Sequence, residues 1–197
     1  MIGVIDYGAG NVGSVLKAVR YLGYEAAPVE DVQQLYDAQK IILPGQGHFG
    51  SMMKSLGERR LLEPLRKLLA QDTPFLGICL GLQALHEGSD EAPDMRGFGV
   101  LPGRARKLEG VFKVPHLGWN QLDIQRESSL LRGVEQASFV YYCHSYYSPV
   151  TTASVAVTEY GSRFAAAVEM GNVQAVQFHP EKSGEAGLRV FKNFLDR

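Results

Sequence analysis

Several things are scarce in this chain, and each scarcity removes a class of protein. Only two cysteines, Cys79 and Cys143, occur in 197 residues. A chain of this size needs no disulfide to fold, so free thiols and a cytoplasmic setting are expected. No stretch approaches the roughly 20 apolar residues of a membrane span, so no membrane association is expected. The opening Met1-Ile-Gly-Val-Ile-Asp6 enters an apolar strand directly and lacks the basic and apolar regions of a secretory signal. Charge of one sign is also missing: 20 Lys and Arg stand against 21 Asp and Glu, which leaves no electrostatic footprint for nucleic acid. No set of histidines, cysteines and carboxylates has metal-ligand spacing, so neither a metal nor a cofactor is expected. The length suits one domain over residues 1–197, large enough to bury a sizeable core.

What is present falls into two halves. In the first, short apolar runs alternate with helical patterns, the signature of βαβ units around a parallel sheet. Strands are expected at Ile2–Asp6, Tyr24–Val29, Lys40–Leu43 and Phe75–Ile78. Helices are expected at Val12–Leu22, with Val12, Val15, Leu16, Val19 and Leu22 at helical spacing, and at Leu61–Leu69, with five leucines on one face. The second half reads as short strands at Phe98–Leu101, Arg104–Leu108, Trp119–Leu122, Ser138–Tyr147, Ser154–Thr158, Phe164–Glu169 and Val173–Phe178. Gly171-Asn172 suits a hairpin turn. A final helix, Leu188–Leu195, directs Leu188, Phe191, Phe194 and Leu195 inward. The fold class is α/β: an open, mostly parallel sheet flanked by helices, with an antiparallel extension in the second half.

The chemistry concentrates in Pro74-Phe-Leu-Gly-Ile-Cys79-Leu-Gly-Leu-Gln83. A buried strand, a turn with glycines on both sides of a cysteine, and a helix start together make a nucleophile elbow. Gly77 and Gly81 stand where a side chain would crowd a tight turn. The free N–H groups of the following helix are placed to hold negative charge. A cysteine nucleophile needs a base, and His179-Pro-Glu181 follows the apolar strand Val173–Phe178 directly. In extended backbone His179 and Glu181 point to one face, and Pro180 biases His179 toward that conformation. Cys79, His179 and Glu181 therefore form a candidate triad of nucleophile, general base and orienting carboxylate.

The remaining motifs rank lower. His86 is expected as a partly exposed residue on the helix after the elbow, His48 as a solvated turn and Cys143 as structural. Cys143 and His144 are strand neighbours and point to opposite faces. Gly8-Ala-Gly-Asn-Val-Gly13 follows a strand and matches the dinucleotide pattern G-x-G-x-x-G, with Glu30 or Asp31 at about the right distance beyond. That pattern alone is a weak signal, and a dinucleotide site would leave the elbow and His-Pro-Glu unexplained.

The elbow followed a hundred residues later by His179-Pro-Glu181 resembles the class I (triad) glutamine amidotransferases, over the whole chain. Asp6-Tyr-Gly-Ala-Gly-Asn11, Pro44-Gly-Gln-Gly47, Pro115-His-Leu-Gly-Trp-Asn120, His144-Ser-Tyr146 and His179-Pro-Glu-Lys-Ser183 look like the branch that serves imidazole glycerol phosphate synthase in histidine biosynthesis. The resemblance implies a flavodoxin-like sheet and hydrolysis of L-glutamine through a cysteinyl thioester. It implies an oxyanion hole from the backbone of Leu80 with Gln46 or Gly47, in a loop where the family often has Val at position 46. Glutamine would be held by Gln83, His144, Ser145 and Tyr146. The glycine turn would lie near the glutaminase site and the partner-facing surface. The implied partner is a (βα)₈-barrel cyclase that receives ammonia, with Trp119 of an exposed loop, Asn120, Asn11 and Lys182 at the interface. Alternatives are a glutaminase for another synthase, such as the pyridoxal phosphate or anthranilate system, a catalytically silent regulatory subunit, and a thiol peptidase.

Overall fold

Apolar strands of four residues, each followed by an amphipathic helix, build the first half of the chain. The structure, a computed structural model, describes residues 1–110 and 113–197. Its elements run β1 (Ile2–Ile5), α1 (Val12–Tyr21), β2 (Ala26–Val29), α2 (Val32–Asp37), β3 (Lys40–Leu43), α3 (Phe49–Glu58), α4 (Leu62–Leu69), β4 (Phe75–Ile78) and the single turn α5 (Leu80–Gln83). Then come β5 (His86–Ser89), β6 (Ala92–Arg96), β7 (Leu101–Lys107), β8 (His116–Gln121), β9 (Asp123–Ile124), β10 (Phe139–His144) and β11 (Tyr146–Tyr147). The chain closes with β12 (Ser154–Tyr160), β13 (Ser162–Met170), β14 (Val173–Val176), a 3₁₀ turn (Pro180–Lys182) and α6 (Gly184–Leu195).

Eight strands form the main sheet in the order β2-β1-β3-β4-β14-β13-β12-β9. The first five are parallel, in the doubly wound order of flavodoxin-like sheets, and the last three are antiparallel. Both faces are covered, which is why the strands are apolar throughout. On one face Ile42, Leu76 and Ile78 pack with Val15 and Val19 of α1 and Phe191 and Phe194 of α6. On the other, Ile41, Leu43 and Phe75 pack with Leu35 of α2, Met52 and Leu56 of α3 and Leu65 of α4. The alternation of neighbours between the two cores follows from the period of two in a strand. Two smaller sheets, β10-β8 and β11-β7-β5-β6, form the rest.

The fold class expected from the sequence is the one observed, with local differences. Helices α2 and α3 are additional. Gly50, Ser51, Ser55 and Gly57 dilute the helical pattern of α3, and its start rests on His48, whose Nδ1 accepts from the Gly50 N–H at 3.0 Å. Asp31, weighed as a ribose ligand, instead caps α2 by accepting from the Gln34 N–H at 2.9 Å. The expected strand Ser138–Tyr147 breaks at Ser145, because β10 pairs with β8 and β11 with β7. Leu188 is only half-buried on α6, while Val190 joins the inward face. Among the described residues no helix is long and apolar enough to cross a membrane.

Candidate active site

The loops that matter leave the C-terminal ends of four adjacent parallel strands. β1 feeds Asp6–Asn11, β3 feeds Pro44–Gly47, β4 feeds Cys79, and β14 feeds Gln177 and His179. Open α/β sheets build their sites at these ends.

Cys79 sits at the junction of β4 and α5 with φ 53° and ψ −103°, a conformation costly for any residue with a side chain. It is held there by close backbone approach. A Cβ on Gly81 would lie 2.1 Å from the Leu43 carbonyl oxygen, and one on Gly77 would lie 2.8 Å from the backbone of Gly81. A Cβ on Gly45 would stand 2.4 Å from Leu80 Cβ, so the Pro44–Gly47 loop rests directly on the elbow. The Cys79 sulfur is buried, 3.9 Å from the Cys143 carbonyl oxygen, and accepts an N–H from Gln177 Nε2 at 3.5 Å.

His179 and Glu181 meet, though by a different backbone route from the extended one expected. His179 is extended, but Pro180–Lys182 curls into a 3₁₀ turn drawn tight by Ser183, whose hydroxyl donates to the His179 carbonyl at 2.7 Å. A Cβ on Gly187 would fall 2.0 Å from the Pro180 carbonyl oxygen, so α6 presses on the same turn. The Glu181 carboxylate accepts from His179 Nδ1 at 2.9 Å, with both side chains 1% exposed. Burial alone lowers the imidazole pKa, but the adjacent Cys79 sulfur and Glu181 override it and raise it to about 10. Burial likewise works to raise Glu181, and the hydrogen bonds from His179 and Asn11 override it and hold the carboxyl below its usual range. Among the described residues three buried side-chain atoms lack a hydrogen-bond partner, and two of them are His179 Nε2 and Glu181 Oε2. An unpartnered buried donor is costly, and here it faces the cysteine.

Asn11 was expected at a partner surface, and the structure gives it a second place. It occupies the cap position of α1 yet makes no cap hydrogen bond; its Nδ2 donates to Glu181 Oε1 at 3.2 Å. An asparagine that abandons its usual capping bond for a buried carboxylate marks the glycine turn Gly8–Asn11 as part of the site.

A cavity of about 460 Å³ opens beside Cys79, lined by Gln46, Gly47, Leu80, Gln83, Glu91, Cys143, His144, Ser145, Tyr146 and Lys182, among others. The structure thus brings together the predicted oxyanion and glutamine-binding residues. The Gln46 N–H is turned to the Tyr7 hydroxyl at 3.4 Å, whereas Gly47, at φ 96°, stays exposed on the cavity wall. Gln83 is buried and donates to the Tyr146 carbonyl at 2.7 Å. His144 also bonds that carbonyl, from Nδ1 at 2.9 Å, and its Nε2 meets His116 Nδ1 at 3.1 Å. Burial pushes His144 down to about 3 and His116 down to about 4, so both rings are neutral at pH 7. Glu91 and Gln177 were not foreseen. Glu91 is brought to the wall by the Phe49 N–H, which its Oε2 accepts at 2.6 Å.

Three expectations need correction. His86 is not a helix residue: α5 ends after one turn, and His86 lies fully buried in β5. Its Nδ1 bonds the Pro102 carbonyl at 2.9 Å and its Nε2 the Ser148 hydroxyl at 2.8 Å. Cys143 is exposed on the cavity wall rather than packed in a core, because the buried face of β10 at this end is taken by His144. Trp119 lies in β8, not in a loop, yet is 55% exposed, with its ring edge-on to Tyr141 at 5.9 Å.

A buried thiol on a strained elbow, an imidazole braced by a carboxylate, and a polar cavity beside them define an α/β enzyme of the thiol-dependent hydrolase kind. The chain belongs to the class-I glutamine amidotransferase family, whose model matches residues 3–197. It is 48% identical over 197 residues to "Imidazole glycerol phosphate synthase subunit HisH" of Methanothermobacter thermautotrophicus, covering 100% of this chain and 98% of that one. It is 46% identical over 195 residues to the protein of the same name from Bacillus cereus, covering 98% of this chain and 93% of the relative. A solved structure titled as a glutamine amidotransferase superposes with a TM-score of 0.78 at 21% identity, over 99% of this chain and 97% of that one. A chain of PurLQS from Thermotoga maritima gives 0.76, also at 21% identity, over 99% and 97%. At that identity these two speak for the fold alone.

Proposed function

We propose that this chain, acting as one amidotransferase domain in the cytoplasm, is the glutaminase subunit of imidazole glycerol phosphate synthase. It hydrolyses L-glutamine to glutamate and passes ammonia to a (βα)₈-barrel cyclase subunit. That partner makes imidazole glycerol phosphate and an aminoimidazole carboxamide ribonucleotide from a phosphoribosyl-formimino precursor in histidine biosynthesis. The observation that carries the reading is the His179 ring: braced at Nδ1 by Glu181, with Nε2 buried, unpartnered and beside Cys79.

The reaction follows from that geometry. Cys79 sulfur attacks the glutamine amide carbon, and the oxyanion rests on the Leu80 N–H with a second donor from the Pro44–Gly47 loop. His179, protonated at neutral pH because its pKa is raised, gives its Nε2 proton to the departing nitrogen as the C–N bond breaks. Ammonia leaves a γ-glutamyl thioester on Cys79. The now neutral His179 takes a proton from water, which attacks the thioester carbon; the C–S bond breaks, its electron pair stays on the Cys79 sulfur as thiolate, and glutamate departs. Tyr146, Gln83 and Ser145 line the side that would hold the glutamine, and the Glu91 carboxylate suits its ammonium.

The docking surface is the outward face of β8 and β10. Leu117, Trp119 and Phe139 are each more than half exposed there, and Lys182 Nζ sits 5.7 Å above the Tyr141 ring. Contiguous exposed apolar side chains of this kind mark interaction sites. Cys143 pairs with Leu117 on this face and also lines the cavity, so the docking face adjoins the cavity mouth. Glutamate release is to be measured for the chain alone and with the cyclase subunit and its nucleotide substrate. Strong stimulation in the complex supports the reading; equal rates keep the glutaminase and reassign the partner.

A further inference from the structure

Gln177 stands two residues before His179, fully buried at the end of β14, and nothing in the mechanism above uses it. Its surroundings leave its amide only one orientation. The Ser148 backbone N–H, which can only donate, reaches the amide oxygen at 3.2 Å, and Gln83 Nε2 reaches the same oxygen at 3.5 Å. The other end of the amide is therefore the NH₂, and it points at the Cys79 sulfur, 3.5 Å away. A buried glutamine with its oxygen fixed by two donors and its nitrogen aimed at sulfur is an N–H···S clamp.

Resting on the reading of Cys79 as the nucleophile, we infer that Gln177 is a catalytic residue of the glutaminase, donating a hydrogen bond that steadies the Cys79 thiolate and fixes its line of attack. Besides His179, the sulfur has a long contact, 3.9 Å, with the Cys143 carbonyl, and this contact needs a thiol proton and is lost on ionisation. The Gln177 bond persists and strengthens, because hydrogen bonds to ionised acceptors exceed those to neutral ones. The donor stands at the end of β14, which pairs with β4 directly below the elbow, so sulfur and amide are carried by adjacent strands. The Gln83 amide ties the clamp to the Tyr146 carbonyl, so the sulfur and the cavity wall share one hydrogen-bonded frame.

Other titratable groups surround the sulfur. His179, with Glu181 behind it, comes from the turn after β14 and Tyr7 from the end of β1, while His144 of β10, Glu91 and Lys182 line the same cavity. All of them are kept in the two test variants. Gln177→Met preserves length and removes both the donor and the acceptor; Gln177→Glu keeps the acceptor for Ser148 and Gln83 and replaces the amide nitrogen with oxygen. The pH profile of Cys79 alkylation by iodoacetamide, read by peptide mapping that resolves it from Cys143, is the primary measurement. Losing a charge-assisted bond should move the profile up by about one pH unit. The same loss should cut kcat about tenfold or more while KM changes by less than about threefold. Thermal unfolding identifies which variants are folded, and either folded variant decides. A profile that coincides with the wild type in a folded variant overturns the inference. Cys79→Ala separates this from failure of the underlying reading: glutamate release persisting in that variant removes Cys79 as nucleophile, whatever Gln177 does.

Discussion

Gly81→Ala tests the elbow most severely, because the structure fixes what the added methyl would meet. An ideal Cβ at position 81 stands 2.1 Å from the Leu43 carbonyl oxygen and 3.2 Å from its carbonyl carbon. Both are backbone atoms of β3, which is paired on both sides, to β1 and β4, so neither can rotate away. Relief requires moving the elbow off the sheet. Overpacking of a well-filled site costs about 1–3 kcal/mol, and a backbone obstacle puts this case at the upper end, about 3 kcal/mol. For a chain of this size each kcal/mol shifts the melting temperature by roughly 2–4 °C, giving a fall of about 6–12 °C. Displacement of Cys79 should also abolish most glutamate release. Gly13→Ala on α1 is the control: nothing lies within 4 Å of its added Cβ, and helix propensity alone predicts a gain of up to about 1 kcal/mol. Differential scanning calorimetry on both variants, with a glutamate assay alongside, makes the comparison. A Gly81→Ala variant that melts within a degree or so of wild type and stays active refutes the steric account of the elbow.

Glu181→Gln should lower kcat by roughly 10²–10⁴-fold through loss of the group that orients His179, whereas Asn11→Ala, which removes one 3.2 Å bond to the same carboxylate, should cost about threefold to tenfold; steady-state glutaminase kinetics rank the two, and the reverse ranking would break the assignment. The stability gap between wild type and Glu181→Gln should depend on pH. His179 is raised from 6.5 to about 10, so its contribution is full below pH 6.5 and lost as pH rises through 10. Glu181 is held below its usual 4.5, so its contribution is present above that pH and lost on acidification. The gap in melting temperature should be widest between about pH 4.5 and 6.5 and narrow toward pH 10; a gap that widens with pH contradicts the pairing. Trp119→Ala, at an exposed site, should leave the melting temperature of the isolated chain within about 2 °C and weaken binding to the cyclase subunit tenfold or more. Unchanged affinity in calorimetric titration removes Trp119 from the interface.

The parts of the site that were legible in the sequence are those fixed by local sterics. Gly77 and Gly81 around Cys79 announce a tight turn, because no other residue fits there, and a histidine and a carboxylate two residues apart at the end of an apolar strand announce the base and its partner. The parallel half of the sheet was legible for a similar reason: apolar runs buried on both faces leave little freedom of interpretation. What escaped depends on partners far along the chain. His86 reads as a continuation of the elbow helix, yet its place is set by Ser148, 62 residues away. Glu91 reaches the cavity only because the start of α3 offers the Phe49 N–H. Gln177 lies in an apolar stretch that also holds Gln174, so its residue type carries no pattern, and its meaning comes from the 98-residue separation to Cys79. The 3₁₀ turn at Pro180–Lys182 was also out of reach, since the Ser183 hydroxyl and the pressure of Gly187 on Pro180 create it.

The most direct test of the central claim is to quench the enzyme during turnover of glutamine and map the γ-glutamyl adduct by peptide mass spectrometry. The account expects one acid-stable, hydroxylamine-sensitive thioester on the peptide containing Cys79, absent from Cys79→Ala. Glutamate released with no adduct at Cys79, or with the adduct on Cys143, would contradict it.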